Sequence, residues 1–588
     1  MPVSLTALPE VSFTRNRKHD HHHPGKLVET FDSKELRGVS ICFINMPLRE
    51  SAKPNTAPQG PGLMAARLRE FGAGVSLIDL NAYRIDTNGI LFDGKVLTAP
   101  VSAERPNGRH LSEAEAETLI EKYFTLLGAP DIIGLSGMIT TLRWQQIVAR
   151  ICKKLSPQSF LVSGGGLATE VKAGLFQEGW VPELDAISHS EGDDVVLIMA
   201  RDIKRTKEYG GKLFPSPDHE HCHLVDVAGR SRYVYHGNRP INLDSLPLEA
   251  WDLMHRDAFD NPIFDWYLKT PVWGRAANNS SATSFGMNSS STSVSSRGCP
   301  FKCKFCFRGS TGETDWTVRS AAHLRKELKY NIENYGIDFH GFNDDNFAVN
   351  EKRMFELPTF IGDLDIRWGT HTRMDEADGR LEPMAKSGCI YIGFGAESAS
   401  PKVLESMGKG GQILQKGLTE IDGFKVPTSM INAVHNCKHH GVHANCTWIM
   451  GYPDEELYDL QTSVRFMMWQ IETLTRGLTP DSPEYEIAKQ SVNTKMFVAT
   501  AYLGTEMFRN ERVRLLLNQH FGIKFNLDGT PVPDKALLNY VLELDDATKL
   551  LHGSDGAPIN FGNIPEAQFI EARRLVDTNQ TEKILDLK

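Results

Sequence analysis

Three cysteines stand close together in the stretch SSRGCPFKCKFCFRG: Cys299, Cys303 and Cys306, spaced C-x3-C-x2-C. Three thiolates on one tight loop can each take one iron of a [4Fe–4S] cluster and leave the fourth iron open to substrate or cofactor. A structural zinc site needs a fourth protein ligand nearby. Cys389, Cys437 and Cys446 fall on separate predicted elements and offer no close fourth. A buried, inert trio is the bland alternative. Against it, Gly298 and Pro300 shape the loop and the aromatic Phe305 precedes the last cysteine.

Two further marks are small residues at the ends of apolar runs: Ser136-Gly137-Met138 and Ser163-Gly164-Gly165-Gly166. Small residues there let a bulky ligand lie against bare backbone, although a glycine after a strand is often only a turn. DHHHPG, with Asp20, His22 and Gly25, contains the string D-x-H-x-x-G, and DHEHCH carries His219, His221, Cys222 and His223. The second string can bind a metal or be an exposed polar loop; it has no visible companion ligands.

These groups must be positioned by a chain of 588 residues, long enough for about three to five domains. Lys+Arg 64 against Asp+Glu 74 leaves a net charge of −10, the wrong sign for a protein held on nucleic acid by a basic face. With 40% hydrophobic and 23% charged residues the chain is globular rather than disordered. No apolar run approaches the ~18 residues of a membrane span. The first residues lack the apolar core of a secretory signal. Nine cysteines are too sparse for a disulfide framework, so a cytoplasmic enzyme is expected.

Residues 1–37 read as a polar arm. Over 38–203 short apolar runs alternate with amphipathic stretches: GVSICFINM, GVSLIDL, DIIGLSGMI and FLVSGG as strands, then AISHSEGDDVVLIMARDI as a strand entering a helix. That rhythm predicts a doubly wound parallel sheet, Rossmann- or flavodoxin-like, covered on both faces. Residues 204–285 lose the rhythm and read as a connector. Over 286–508 it resumes with TSVSSRG, DFHGFNDD, DIRWGTHTR, YIGFGAE, HANCTWIMGY and NTKMFVATA, six units that suggest a (β/α)6 partial TIM barrel. Residues 509–588 read as a mainly helical cap. The fold class is therefore α/β.

The cysteine motif, with its aromatic residue, resembles that of the radical S-adenosylmethionine (radical SAM) superfamily. FNDDNF (342–347), WGTHTRMDE (368–376), YIGFGAESASPKVLESMGKG (391–410) and WIMGYPDEE (448–456) resemble the family's later segments in the expected order. The resemblance implies that Cys299, Cys303 and Cys306 bind the cluster and that SAM chelates its open iron. It implies that Phe305 lies by the adenine, with Asp344, Asp345, Arg373, Glu397 and Ser398 around the methionine and ribose ends. In their bland readings the two aspartates end a strand, Arg373 is an ion-pair partner and Glu397 caps a helix.

Directly upstream of such a domain, the 38–203 unit resembles the cobalamin-binding domain of B12-binding radical SAM enzymes. The residues implied are Ser136, Gly137, Met138, Gly164, Gly165 and Gly166, with Glu191 and Gly192 in HSEGDDVVLIMA. In cobalamin domains of the mutase type D-x-H-x-x-G supplies a histidine to cobalt from between the first strand and first helix. Here the string lies before the first strand, and PLRESAKPNTAPQG (47–60), where it belongs, has no histidine. Cobalamin is therefore expected without a protein histidine on cobalt. Arg49, Arg67 and Arg69 are near enough in sequence to approach its lower face, although amphipathic-helix solvation suits Arg67 and Arg69 better.

The resemblance implies a cobalamin-dependent methyltransferase that moves a methyl group from SAM through methylcobalamin to a carbon, or less commonly phosphorus, of a small-molecule or peptide substrate. A reductant such as flavodoxin or ferredoxin would be its partner. The alternatives are a relative that cyclises or contracts its substrate, and a non-catalytic cobalamin sensor or redox protein. Intact cysteines weigh against the last, and turnover of SAM would separate it from the others. No catalytic residue is singled out. Trp251, Trp266, Tyr267 and Trp273 can pack around an aromatic substrate or belong to the core.

Overall fold

The computed structural model describes residues 31–48, 55–102, 107–209, 221–237, 240, 242–269, 286–307, 316–377, 379–544, 551–553 and 556–588. Two parallel sheets organise them. The first contains β1 (Ser40–Asn45), β2 (Gly74–Asp79), β3 (Ile132–Ser136), β4 (Phe160–Gly164), β5 (Ala186–Ser190), β6 (Cys222–Val227) and β7 (Arg230–Gly237), in the order β2-β1-β3-β4-β5-β7-β6. All neighbours run parallel except the β6–β7 hairpin. The first five strands follow flavodoxin-like order, whose switch point lies between β1 and β3. Their apolar content reflects cover on both faces: the middle residues Ile41–Ile44 and Ile132–Leu135 are buried.

The sheet takes two more strands than the sequence reading supplies. Residues 222–237, assigned there to a connector, form β6 and β7 around a two-residue turn in which Ala228 and Gly229 both have positive φ. That geometry matches the twist of a tight hairpin. The boundary expected at 203 is therefore corrected: the first unit runs on to 237.

The second sheet is β8 (Ser290–Ser293), β9 (Phe339–Phe342), β10 (Arg367–Thr372), β11 (Cys389–Glu397), β12 (His443–Met450) and β13 (Phe497–Val498), side by side in sequence order and all parallel. Sequential parallel order with an intervening helix at most crossovers makes the six-stranded partial barrel expected from the sequence. The crossover helix Ala321–Tyr335 shows how such units are bounded: the Ser320 side chain accepts from the His323 N–H at its start, and left-handed Gly336 ends it. Helices Glu511–Phe521, Lys535–Glu543 and Glu566–Asp577 dominate the C-terminal region.

That region touches both sheets' units. The Asn563 N–H donates to the Glu455 carbonyl (2.7 Å) after β12 of the second unit. The helix Lys535–Glu543 packs on Leu142–Leu155 of the first unit. Among the described residues no helix is long and apolar enough to cross a membrane.

Candidate functional site

In a parallel sheet the loops that follow the strands carry ligands. Here a cavity of about 340 Å3 lies between the sheet face of β1, β3 and β4 and the helices Gln59–Glu70 and Val195–Tyr209. Phe43, Leu63, Met64, Ile132, Val162 and Met199 make an apolar slot. Its other end is polar and reaches the second unit, where Glu191, Asp193 and Glu249 meet Arg297, Asn343 and Asp345. The two units also share direct bonds there: the Gln59 amide donates to the Thr292 carbonyl (2.6 Å) and Asn343 to Thr56 (3.4 Å).

Backbone lies bare along this cavity. A Cβ at Gly164 would meet nothing nearer than Ser188 Cβ at 3.8 Å, so packing does not require glycine there and its backbone stays open to the cavity. Gly165 is different: its φ is +90°, and a Cβ would sit 2.6 Å from the Gly137 carbonyl. That close approach brings the loops after β3 and β4 together.

The cysteine loop follows β8. Cys299, Cys303 and Cys306 are all half-buried, and the Cys306 N–H donates to the Cys303 carbonyl (3.0 Å). Arg373, after β10, lies over the Phe301 ring (3.9 Å) and reaches Cys303 Sγ (3.8 Å). Asp375 holds that guanidinium by two bonds (3.0 and 2.9 Å). Among the described residues no three or more His, Cys, Asp or Glu are grouped to share a single metal ion. Thiols that each serve a separate iron fit this arrangement better than a mononuclear zinc site.

Beyond the loop, Phe305 meets Tyr452 edge-on (6.3 Å) and faces the Lys409 ammonium (6.0 Å). Lys409 pairs with Glu397 (3.3 Å) and donates to the Gly395 carbonyl. Glu397 has φ +65° and sits where the β11–β12 register slips by a bulge. A non-glycine residue held in that region at a bulge is one whose side chain has been re-aimed.

Charges here are shaped by burial. Desolvation pushes the Cys299 thiol up to about 11, so loading iron must displace a proton. Burial alone would lower Arg373, but Asp375 and the Cys303 and Cys299 thiols raise it. Glu249 and Glu327 are both raised by burial and, for Glu327, by Glu249 itself; Arg319 pulls the other way. Burial lifts Asp194 to about 6 against the pull of Arg67.

Several expected residues stand together and several do not. Ser136, Gly164, Gly165, Glu191, Gly192 and Asp345 line the cavity; Gly137, Met138 and Gly166 do not, and Met138 is exposed. Asp344 is buried, and its carboxylate accepts from Ser295 N (2.6 Å), Ser295 Oγ (2.6 Å), Ser296 N (3.1 Å) and Ser296 Oγ (2.7 Å), with Arg353 3.6 Å away. Ser398 is buried against Ser463 (3.2 Å) and Ser400 (3.1 Å). Both side chains hold loops that follow their strands.

Arg67 is not solvated but buried between Glu70 (2.9 Å) and Asp194 (3.7 Å), whereas Arg69 makes an exposed pair with Asp252 (2.9 Å). Trp251 stacks on Phe264, Trp266 meets Tyr83 edge-on, and Tyr267 donates to Asp79 (2.5 Å), so these aromatics pack the core. Of DHEHCH, Cys222 is buried and His223 bonds His236 (3.0 Å). His219, DHHHPG, Arg49 and Trp273 lie outside the described residues. The sequence reading missed Phe43, Gly134, Asp193, Glu249 and Arg297. Only Arg297, beside the cysteines, carried a local signal.

Residues 293–467 match the Radical SAM superfamily. The chain contains a domain of that superfamily. Its radical SAM domain implies a [4Fe–4S] cluster and SAM, and the three half-buried thiols on the loop after β8 suit the cluster.

The chain is 27% identical over 373 residues to an uncharacterized methyltransferase of Pyrococcus horikoshii, covering 63% of this chain and 69% of that one. It is 26% identical over 208 residues to bacteriochlorophyllide d C-12(1)-methyltransferase of Chlorobaculum tepidum, covering 34% and 42%. Among solved structures it resembles the cobalamin-dependent S-adenosylmethionine radical enzyme OxsB, with aqua-cobalamin and S-adenosylmethionine bound. There the TM-score is 0.54 at 17% identity, over 78% of this chain and 55% of that one. It also resembles the radical S-adenosylmethionine methyltransferase TsrM of Kitasatospora setae, with tryptophan and a SAM analog bound. There the TM-score is 0.53 at 13% identity, over 88% and 84%. At these identities the structural likeness bears on fold alone. The radical SAM chain spans little more than half of OxsB.

Proposed function

We propose that this chain is a cobalamin-dependent radical SAM methyltransferase acting on a carbon of a small-molecule or peptide substrate. One observation carries the reading: the cavity of the first unit shares a wall with the cysteine-bearing unit, through Arg297, Asn343 and Asp345. A cofactor seated in that cavity and a cluster on the adjacent loop would face common ground. The relatives of the preceding section that are named as methyltransferases support the same reading.

The residues fit the two groups as follows. Cys299, Cys303 and Cys306 hold the cluster; Arg373, fixed by Asp375 and stacked on Phe301, steadies the loop and donates to Cys303 Sγ. Phe305, Lys409, Glu397 and Asp345 are our candidates for SAM. The slot formed by Phe43, Leu63, Met64 and Ile132, with the Phe43 ring over Gly134 and open backbone at Gly164, has the size and character for the aromatic base of a displaced nucleotide tail. Glu191, Asp193 and Glu249 on its rim can accept from the primary carboxamides of a corrin. Among the described residues no histidine lines the cavity.

When bound, SAM and cluster supply a radical or a methyl cation, and cobalamin a carrier for the methyl group. The chain itself contributes placement: two rigid sheets present their loop ends to one space, and the apolar slot excludes water from it. An external electron donor belongs to the same proposal.

The test is anaerobic turnover with cobalamin, reductant, candidate substrates and methyl-labelled SAM. Labelled product with S-adenosylhomocysteine is the expected outcome. A product without label that has lost hydrogen or changed ring size would transfer the chain to the rearranging enzymes. The relatives' substrates, tryptophan and a bacteriochlorophyllide, are the first compounds to try.

A further inference from the structure

Arg297 stands two residues before Cys299, at the point where the two units grip one another. Its side chain is 14% exposed, with Nη1 3.0 Å from Glu191 Oε2 and Nη2 2.9 Å from Asp193 Oδ1, and Nη1 also donates to Asp193 Oδ2. Asp193 is 3% exposed. All three residues line the cavity. A guanidinium forked onto a carboxylate is directional, so it fixes orientation as well as distance.

Each end of this junction is clamped from behind. On the first unit, β7 passes so close that a Cβ at Gly237 would lie 1.6 Å from the Glu191 carbonyl. On the second, Ser295 and Ser296 are tied to buried Asp344, and Arg353 donates to the Ser295 hydroxyl (3.0 Å). The strand Ser296–Arg297 pairs with Thr317–Val318, and Gly298, at φ +82°, turns the chain into Cys299. Movement of the Glu191 and Asp193 carboxylates at the cavity rim therefore has one rigid path to the cysteine loop.

We propose that Arg297 is a positioning residue that couples occupancy of the cavity to the geometry of the cysteine loop, so that cobalamin binding and cluster assembly are energetically linked. The proposal rests on the cobalamin reading of the cavity. A ligand at the rim contacts or displaces Glu191 and Asp193, and Arg297 follows them. Linkage is reciprocal: whatever factor the cluster adds to cobalamin affinity, cobalamin adds to cluster retention.

The experiment titrates the full chain anaerobically with hydroxocobalamin, by absorbance, with and without the reconstituted cluster. The ratio of the two dissociation constants is the readout, and a change in fold stability alone leaves it unmoved. In the unaltered protein we expect a ratio of about five or more, the lower range of measured couplings. Cobalamin should also change the electron paramagnetic resonance spectrum of the reduced cluster.

The triple variant Glu191→Gln, Asp193→Asn, Arg297→Met removes the three charges together, so that neither carboxylate of the fork is left facing a missing partner. Its ratio should fall to about one even if both affinities drop. Should that variant fail to fold, Arg297→Lys keeps the charge but loses the fork and must lower the ratio. A ratio of one in the unaltered protein, or an unchanged ratio in the variant that folds, overturns the coupling. Absence of cobalamin binding in the unaltered protein, with or without cluster, overturns the cofactor reading instead.

Discussion

Asp344 offers a sharp test of how the cysteine loop is held. Its carboxylate takes four hydrogen bonds from Ser295 and Ser296 and faces Arg353 at 3.6 Å, with no exposure of either charged side chain above 2%. Asp344→Asn keeps the shape but turns one acceptor into a donor pointed at donors, and leaves Arg353 without its counter-charge. Removing one partner of a buried pair costs about 3–5 kcal/mol. At about 1.4 kcal/mol per factor of ten, local opening should rise about a hundred-fold to a few thousand-fold. Amide hydrogen exchange reads this directly, because the Ser295 and Ser296 N–H groups are themselves the donors. Exchange in β3 of the first sheet should stay unchanged and serves as the internal control. Unchanged protection at Ser295 and Ser296, together with weakened SAM binding, would refute the reasoning and return Asp344 to the cofactor.

Replacing Cys299, Cys303 and Cys306 by Ala should abolish iron–sulfur absorbance and lower bound iron to background; a retained cluster would mean other ligands. Gly164→Val should fill the open side of the cavity with only ordinary contact to Ser188, so the melting temperature holds while retention of cobalamin on gel filtration is lost. Glu455, in the turn after β12, is fully buried, and burial lifts it from 4.5 to about 8 against the Gly451 N–H at 2.5 Å. The folded state thus holds a proton the unfolded state has released, so stability should fall as pH rises from about 4.5 to about 8, by on the order of 4 kcal/mol. Urea unfolding at several pH values measures that slope, and Glu455→Gln should flatten it.

Five strands of the first sheet and the later five of the second were legible because apolar runs ending in small or charged residues suit parallel strands, whereas β8 reads SSTS and carries no apolar residue. The β6–β7 hairpin was not: Cys222–Val227 and Arg230–Gly237 mix polar and apolar residues, as an edge ribbon does, and their Ala-Gly turn is a weak signal. In the site, cysteine spacing announced the loop, because all three ligands lie on one local segment. The choice between Asp344 and Asp345 was closed to sequence. Neighbours at a strand end point opposite ways, but only packing tells that Asp344 turns toward Ser295 and Asp345 toward the cavity. Arg297 likewise gains its meaning from partners 106 and 104 residues earlier in the chain.

The return of the C-terminal region to the first unit changes how the molecule can move. The chain crosses from the first sheet to the second once after β7, then comes back after β13 to lay Lys535–Glu543 on Leu142–Leu155, while Asn563 stays bonded to Glu455 of the second unit. The two halves are thus joined into a ring, with the cavity and the cysteine loop inside its circumference. With the Gln59–Thr292, Asn343–Thr56 and Arg297–Asp193 bonds holding the halves face to face as well, they cannot gape like a single-hinged jaw. A cut in the crossing segment alone should therefore leave both halves travelling as one particle.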